Sequence, residues 1–172
     1  MDALTVFNTS KVLLDCIYTA LKDAGLELPC RVCAVPGEIV WDDCQKGQLV
    51  VSTVREFQSE VFPVEALERG VNSSCGLPYL VAEYNFSLVR CVSIPKGTAT
   101  TVPCTSLEAD SVRLHQDAYW MRNALTCCLL DLKRSYTTSF VLEYIIGPTV
   151  RVGPEGMCAG NETTVAVGFV NG

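Results

Sequence analysis

Apolar residues recur at helical spacing between Asn8 and Ala24, where Val12, Leu13, Cys16, Ile17, Ala20, Leu21 and Ala24 form one stripe. Asn8, Thr9 or Ser10 can cap the start by accepting a bond from an orphan N–H, and Gly25 can end the helix in the left-handed conformation. The pattern then turns strand-like. Cys30 to Val35 is a short strand broken by Pro36-Gly37, Ile39 to Trp41 resumes it, and the residues from Asp42 to Gly47 read as a turn. Gln48 to Phe57 is rich in β-branched residues and predicts a strand. Gln58 to Pro78, with its Pro, Gly and Asn72-Ser73-Ser74, predicts a long loop. Tyr79 to Ile94 alternates, with Leu80, Ala82, Tyr84, Phe86 and Leu88 on one face and Glu83, Asn85 and Ser87 on the other. That is the signature of a half-buried strand.

Pro95 to Pro103 predicts a second loop. From Ser106 to Arg134 the apolar seam of Leu114, Ala118, Met121, Leu125, Cys128 and Leu132 predicts the longest helix. Ser106, Glu108 and Asp110 suit its amino end, and Lys133 and Arg134 suit its carboxyl end. Phe140 to Ile146 and Thr163 to Val170 are closing strands, joined through the Gly- and Pro-rich stretch from Gly147 to Asn161. Helix, strands, helix, strands in that order predict one α+β domain over residues 1–172, with both helices packed on a mostly antiparallel sheet.

Composition narrows the classes. Hydrophobic residues make up 49% of the chain, which excludes a disordered segment. No apolar run approaches the roughly 18 residues needed to span a bilayer, so a membrane partner is not expected. The net charge of −6 argues against a surface built to hold nucleic acid by its phosphates. Met1-Asp2-Ala3-Leu4 lacks the basic and apolar regions of a signal peptide. The expectation is therefore folding in a reducing cytoplasm, where structural disulfides are uncommon.

Ten cysteines and one histidine make thiol chemistry the first candidate. Cys30-x-x-Cys33 has zinc or redox spacing, and Cys44, Cys75 or Cys158 could complete a site in space. No second close pair of that spacing exists, and on a strand the two thiols point to opposite faces. Cys16 and Cys128 lie on helix seams and read as small core residues. His115 stands mid-helix, with no nucleophile or orienting acid beside it in the sequence. Asp42-Asp43 could bind a divalent cation but reads better as turn residues. Phosphate-binding glycine motifs are absent from the sequence. No catalytic, cofactor or metal residue is assigned on this basis, and no cofactor is expected.

The middle of the chain carries a further signal. Val35-Pro36-Gly37-Glu38-Ile39-Val40-Trp41-Asp42-Asp43-Cys44, followed by Gly47-Gln48-Leu49-Val50-Val51, resembles the opening of tail terminator proteins of long-tailed actinobacteriophages. Phe62-Pro63, Cys75-Gly76-x-Pro78, Val89-Arg90-Cys91, Cys127-Cys128 and the stretch Gly153-Pro154-Glu155-Gly156-Met157-Cys158-Ala159-Gly160 continue the likeness in order. Asn161-Glu162-Thr163 departs from it where relatives tend to carry an aromatic residue. The resemblance implies a non-enzymatic virion protein at the neck, assembled in the host cytoplasm. It would form a hexameric ring that caps the tail tube, ends its polymerisation and receives the head-completion (stopper) protein. The implied partners are the major tail protein and the tape-measure protein, with DNA passing through the lumen without specific binding; the net charge of −6 per subunit adds the expectation that Glu and Asp line that lumen. A neighbouring neck protein, stopper or adaptor, is the alternative reading. A zinc- or cysteine-dependent enzyme is a more remote one.

Overall fold

The computed structural model describes residues 4–37, 46–66, 79–95, 101–135 and 140–170. Helix α1 (Thr5–Asp23) starts three residues before the expected Asn8, with Leu4 at its cap and no side-chain cap bond. Thr9 and Ser10 do not cap. Their hydroxyls donate backwards to the carbonyls of Thr5 and Phe7 at 2.9 and 2.8 Å, as hydroxyls inside a helix do. The earlier start follows from packing, because Val6 is buried and its carbonyl accepts a bond from Tyr84 Oη at 2.9 Å. Leu13, Leu14, Ile17 and Leu21 form the buried stripe, while Val12 is 43% exposed, so the stripe centres further round than expected. Gly25 ends the helix at φ +68°, where a Cβ would be disfavoured.

Five strands form one sheet in the order β1-β2-β3-β5-β4. They are β1 (Arg31–Val35), β2 (Gln48–Ser59), β3 (Tyr79–Cys91), β4 (Val141–Glu155) and β5 (Cys158–Val170). Among the described strands only β1–β2 is parallel; the other neighbours are antiparallel. As expected, Ala82, Tyr84, Phe86 and Leu88 of β3 face the core, and Leu49, Val51, Val165, Val167 and Phe169 join them from the neighbouring strands. The second face of β3 is less open than its sequence suggests. Val81, Ser87 and Val89 are also buried, although Glu83 and Asn85 remain half-buried. Near Val81 the Phe62 ring lies over Gly168, whose missing side chain leaves the room, and Ser87 Oγ donates to Glu162 at 3.0 Å.

The stretch from Gly147 to Asn161, expected as a connecting segment, is instead the tip of a long β4–β5 hairpin. Its Gly-Pro pairs fall at the ladder irregularities, between Ile146 and Thr149 and between Val152 and Glu155. β4 is an edge strand, and there a proline removes no ladder bond while a bulge absorbs the extra residue. Turn-forming composition therefore marks bulges here, and the reversal itself is confined to Gly156-Met157.

Helix α2 (Cys104–Arg134) is about 46 Å long. Met121, Leu125 and Leu129 are fully buried, with Cys128 beside them, while Leu114, Ala118 and Leu132 are half-buried. The expected acidic cap is absent: Pro103 occupies the cap position, and Asp110 accepts the Ser93 N–H at 2.7 Å instead. Lys133 and Arg134 occupy the last turn as expected. Both helices lie on the same face of the sheet and against each other, so the core sits between the helix pair and the strands. No described helix is long and apolar enough to cross a membrane.

The cysteines overturn one expectation. Cys16 of α1 and Cys128 of α2 are joined by a disulfide, with Cα atoms 6.3 Å apart and 112 residues between them in sequence. Cys30 is disulfide-bonded as well. Two seam cysteines on touching helices meet at bonding distance, so a reading of each as a lone core residue misses the pair.

Tyr84 provides a pH handle. Burial, with the Glu56 carboxylate second, pushes its phenol far above the ordinary value of 10.0. In the unfolded chain this phenol ionises near pH 10, while in the folded chain it stays protonated. Above that pH the unfolded state binds fewer protons, so stability falls as pH rises, by up to about 1.4 kcal/mol per unit. Denaturant titrations on either side of pH 10 should show this slope in the wild type and a shallower one in Tyr84→Phe.

Candidate functional site

One end of the sheet gathers most of the buried charge. Arg90 follows Leu88 on the core face of β3, in phase with the apolar residues, and is 1% exposed. Its Nε and Nη2 donate to Asp117 of α2 at 2.8 and 2.9 Å, and Nη1 donates to the Lys46 carbonyl at 3.1 Å. Asp117 is equally buried, so the pair is a two-pronged, charge-assisted clamp between helix and sheet. A second clamp lies one turn earlier. Asn161 of β5, fully buried, donates from Nδ2 to the Leu114 carbonyl at 2.9 Å. Arg151 of β4 donates to the same carbonyl at 2.6 Å and to Asn161 Oδ1. Arg113 completes the set, donating to the Cys91 carbonyl and to Asp110.

Beside these clamps, between the first half of α2 and the hairpin tip, lies an open groove of about 1080 Å³. Its walls are apolar, from Val92, Leu107, Leu114, Val152 and Pro154, with Asp110, His115 and Arg151 as its charged or titratable members. A smaller hollow of about 400 Å³, bounded by Ile94, Val102 and Met157, adjoins it. His115 Nδ1 lies 2.8 Å from the Ser111 carbonyl, so its partner is backbone and not a carboxylate. The arrangement suits the capture of an apolar group, with Arg151 already engaged by the Leu114 carbonyl and Asn161 and balanced by Asp110 on the same wall.

At the other end of β3 stands an exposed turn. After β2 the chain makes a tight turn from Glu60 to Glu65, in which Val61 and Val64 form an isolated bridge. Val64 N donates to Val61 O at 2.8 Å, Ser59 Oγ to Val64 O at 2.7 Å, and Ala66 N to Gln58 O at 2.9 Å. Arg55 grips Glu83 through two bonds of 2.8 Å and Glu65 through one of 2.9 Å, while lying 4.7 Å above the Phe57 ring. The Glu83 bond, helped by the charges of both acids, raises the guanidinium above its ordinary pKa. Val61 and Val64 remain 69% and 64% exposed.

The residues singled out in the sequence do not converge. Asp42, Asp43, Cys44 and Cys75 lie outside the described residues. Cys30 is bound in a disulfide, Cys33 is half-buried on β1, and Cys158 is at the hairpin tip. Among the described residues no group of three His, Cys, Asp or Glu side chains could hold a metal ion. Of the long loop expected from Gln58 to Pro78, the first two residues belong to β2 and Glu60 to Ala66 form the turn and its exit. The clamps and the groove were missed. The available signal was phase: Arg90 falls on the buried side of an alternating strand, where a charge requires a partner. No protein-family model and no curated protein matches the chain.

Proposed function

We propose that this chain is a structural subunit of a long-tailed phage virion, forming a ring, six-membered by its resemblance, on the end of the tail tube. The ring stops tube growth and offers its upper face to the head-completion protein, with DNA passing through the lumen. The reading requires a subunit that meets like copies sideways, the tube below and another protein above. The observation that carries it is the distribution of exposed large hydrophobic residues in separate sectors. Val61 and Val64 lie on the turn, Leu107 and Met157 at the groove, and Val112, Tyr119 and Leu130 along the outer side of α2. Separate apolar surfaces on a rigid α+β frame suit a protein with several partners. The disulfides are compatible with this role, because a released virion exists in an oxidising medium where such bonds persist.

Electron microscopy of the purified protein mixed with tail tubes lacking heads tests the proposal. The expected image is a ring of density on one end of each tube, and tubes that no longer extend when tube subunits are added. Bare tube ends, with the protein bound only to filled heads, would replace this reading with that of a stopper or adaptor.

A further inference from the structure

We infer that Cys91 of β3 and Cys158 of β5 form an oxidative modification site, two opposed thiols that a small-molecule disulfide converts into a staple across the sheet. Both are thiols in the structure, and both are half-buried. They stand directly opposite each other in the β3–β5 ladder. The backbone bond beside them fixes what kind of pair they are. Val92 N donates to Met157 O at 2.8 Å, from the residue after one cysteine to the residue before the other. That pattern makes Cys91 and Cys158 a non-hydrogen-bonded pair, in which the two Cα atoms approach to about 4.5 Å. Cα separations of roughly 4.4–6.8 Å accommodate a disulfide, so rotation of the two side chains with a small shift of the strands closes the bond. The same ladder shows opposed groups of this kind in contact. Ser87 and Glu162, the pair four residues earlier on β3, are joined at 3.0 Å.

The thiols belong to the face of the sheet away from the helices. Arg90 and Ala159, their chain neighbours, are paired with each other, and Arg90 reaches Asp117 of α2, so by alternation the cysteines project the other way. A zinc ion suits them less, because it takes four ligands and no group of three His, Cys, Asp or Glu side chains gathers among the described residues. Closure runs by thiol–disulfide exchange. The thiolate of one cysteine attacks oxidised glutathione, forming a mixed disulfide and releasing one glutathione. The second thiolate then attacks the protein sulfur of that mixed disulfide, forming the staple and releasing the second glutathione. Two protein thiols are oxidised, one glutathione disulfide is reduced, and the protein's two protons end on the released thiols. The span between the cysteines contains all of α2 and β4, so closure restrains the denatured chain. With the Cys16–Cys128 bond it ties α1, α2, β3 and β5 into one covalent net. In a reducing compartment the pair stays open, and in an oxidising medium it closes.

Exposure of the folded protein to oxidised glutathione, followed by alkylation and peptide mapping without reduction, tests the site. The wild type should yield a peptide linking Cys91 to Cys158, and its melting temperature should rise by on the order of 10 °C. Cys91→Ser and Cys158→Ser, which should melt like the wild type before treatment, should each keep glutathione on the remaining cysteine and gain no such rise. Reductant should reverse both the link and the adducts. A wild type that keeps glutathione on both cysteines, links either to a different cysteine, or leaves both unmodified while the exposed Cys127 reacts overturns the inference. So does a linked protein that melts no higher than the open one.

Discussion

Replacing both Cys16 and Cys128 by serine should lower the unfolding free energy by about 3–5 kcal/mol. The bond closes a loop of 112 residues, and a loop of that length restricts the denatured chain strongly. It also fastens α1 to α2 at the helix contact, where Cys128 is buried and Cys16 packs against the core. Native stability is itself only about 5–15 kcal/mol, so the loss is a large share of the total. Urea titrations of the wild type and the double variant, each with and without reductant, would measure it. In the double variant reductant should act only through the Cys30 bond. Identical midpoints for oxidised wild type and double variant would show that the helices hold each other without the bond.

Asp117→Asn should be comparably damaging, at about 3–5 kcal/mol, although it preserves the side chain's shape. The substitution leaves the 1% exposed Arg90 guanidinium without its counter-charge: one amide oxygen and the Lys46 carbonyl can still accept, while an amide NH2 now faces one of its donors. A charge kept from water without its counter-charge is the costly state, more so than the loss of the pair itself. The double substitution Arg90→Met with Asp117→Leu should therefore be milder than Asp117→Asn alone. Chemical denaturation of the three variants decides the matter, and a double variant as weak as the single one would show that hydrogen-bond geometry outweighs charge burial here.

Much of the fold was legible because it is periodic. The α1 and α2 seams and the alternation of β3 each repeat over many residues, and the structure departs from them mainly at the ends. The hairpin was not legible, because Gly147-Pro148 and Gly153-Pro154 look like breaks in sequence and act as bulges on an edge strand. The disulfide was hidden by sequence distance and by an expected reducing compartment. The groove is built by residues 92–95 and 101–115 against the distant 151–160, so no local pattern announces it. Phe62-Pro63 lies in the exposed turn, Val89-Arg90-Cys91 at the clamp, and Gly153 to Gly160 at the hairpin tip.

The position of β5 carries a consequence for synthesis. It is made after every other described strand, yet it lies between β3 and β4 and pairs with both. While a ribosome is still extending the chain, β3 has one bare edge and β4 has no neighbour at all. The sheet closes only when β5 emerges and inserts, so the nascent chain must shelter two unpaired strands until then. A stop codon before Cys158 would remove the strand that joins β4 to the rest of the sheet, and would leave a sticky intermediate in place of a slightly shortened protein.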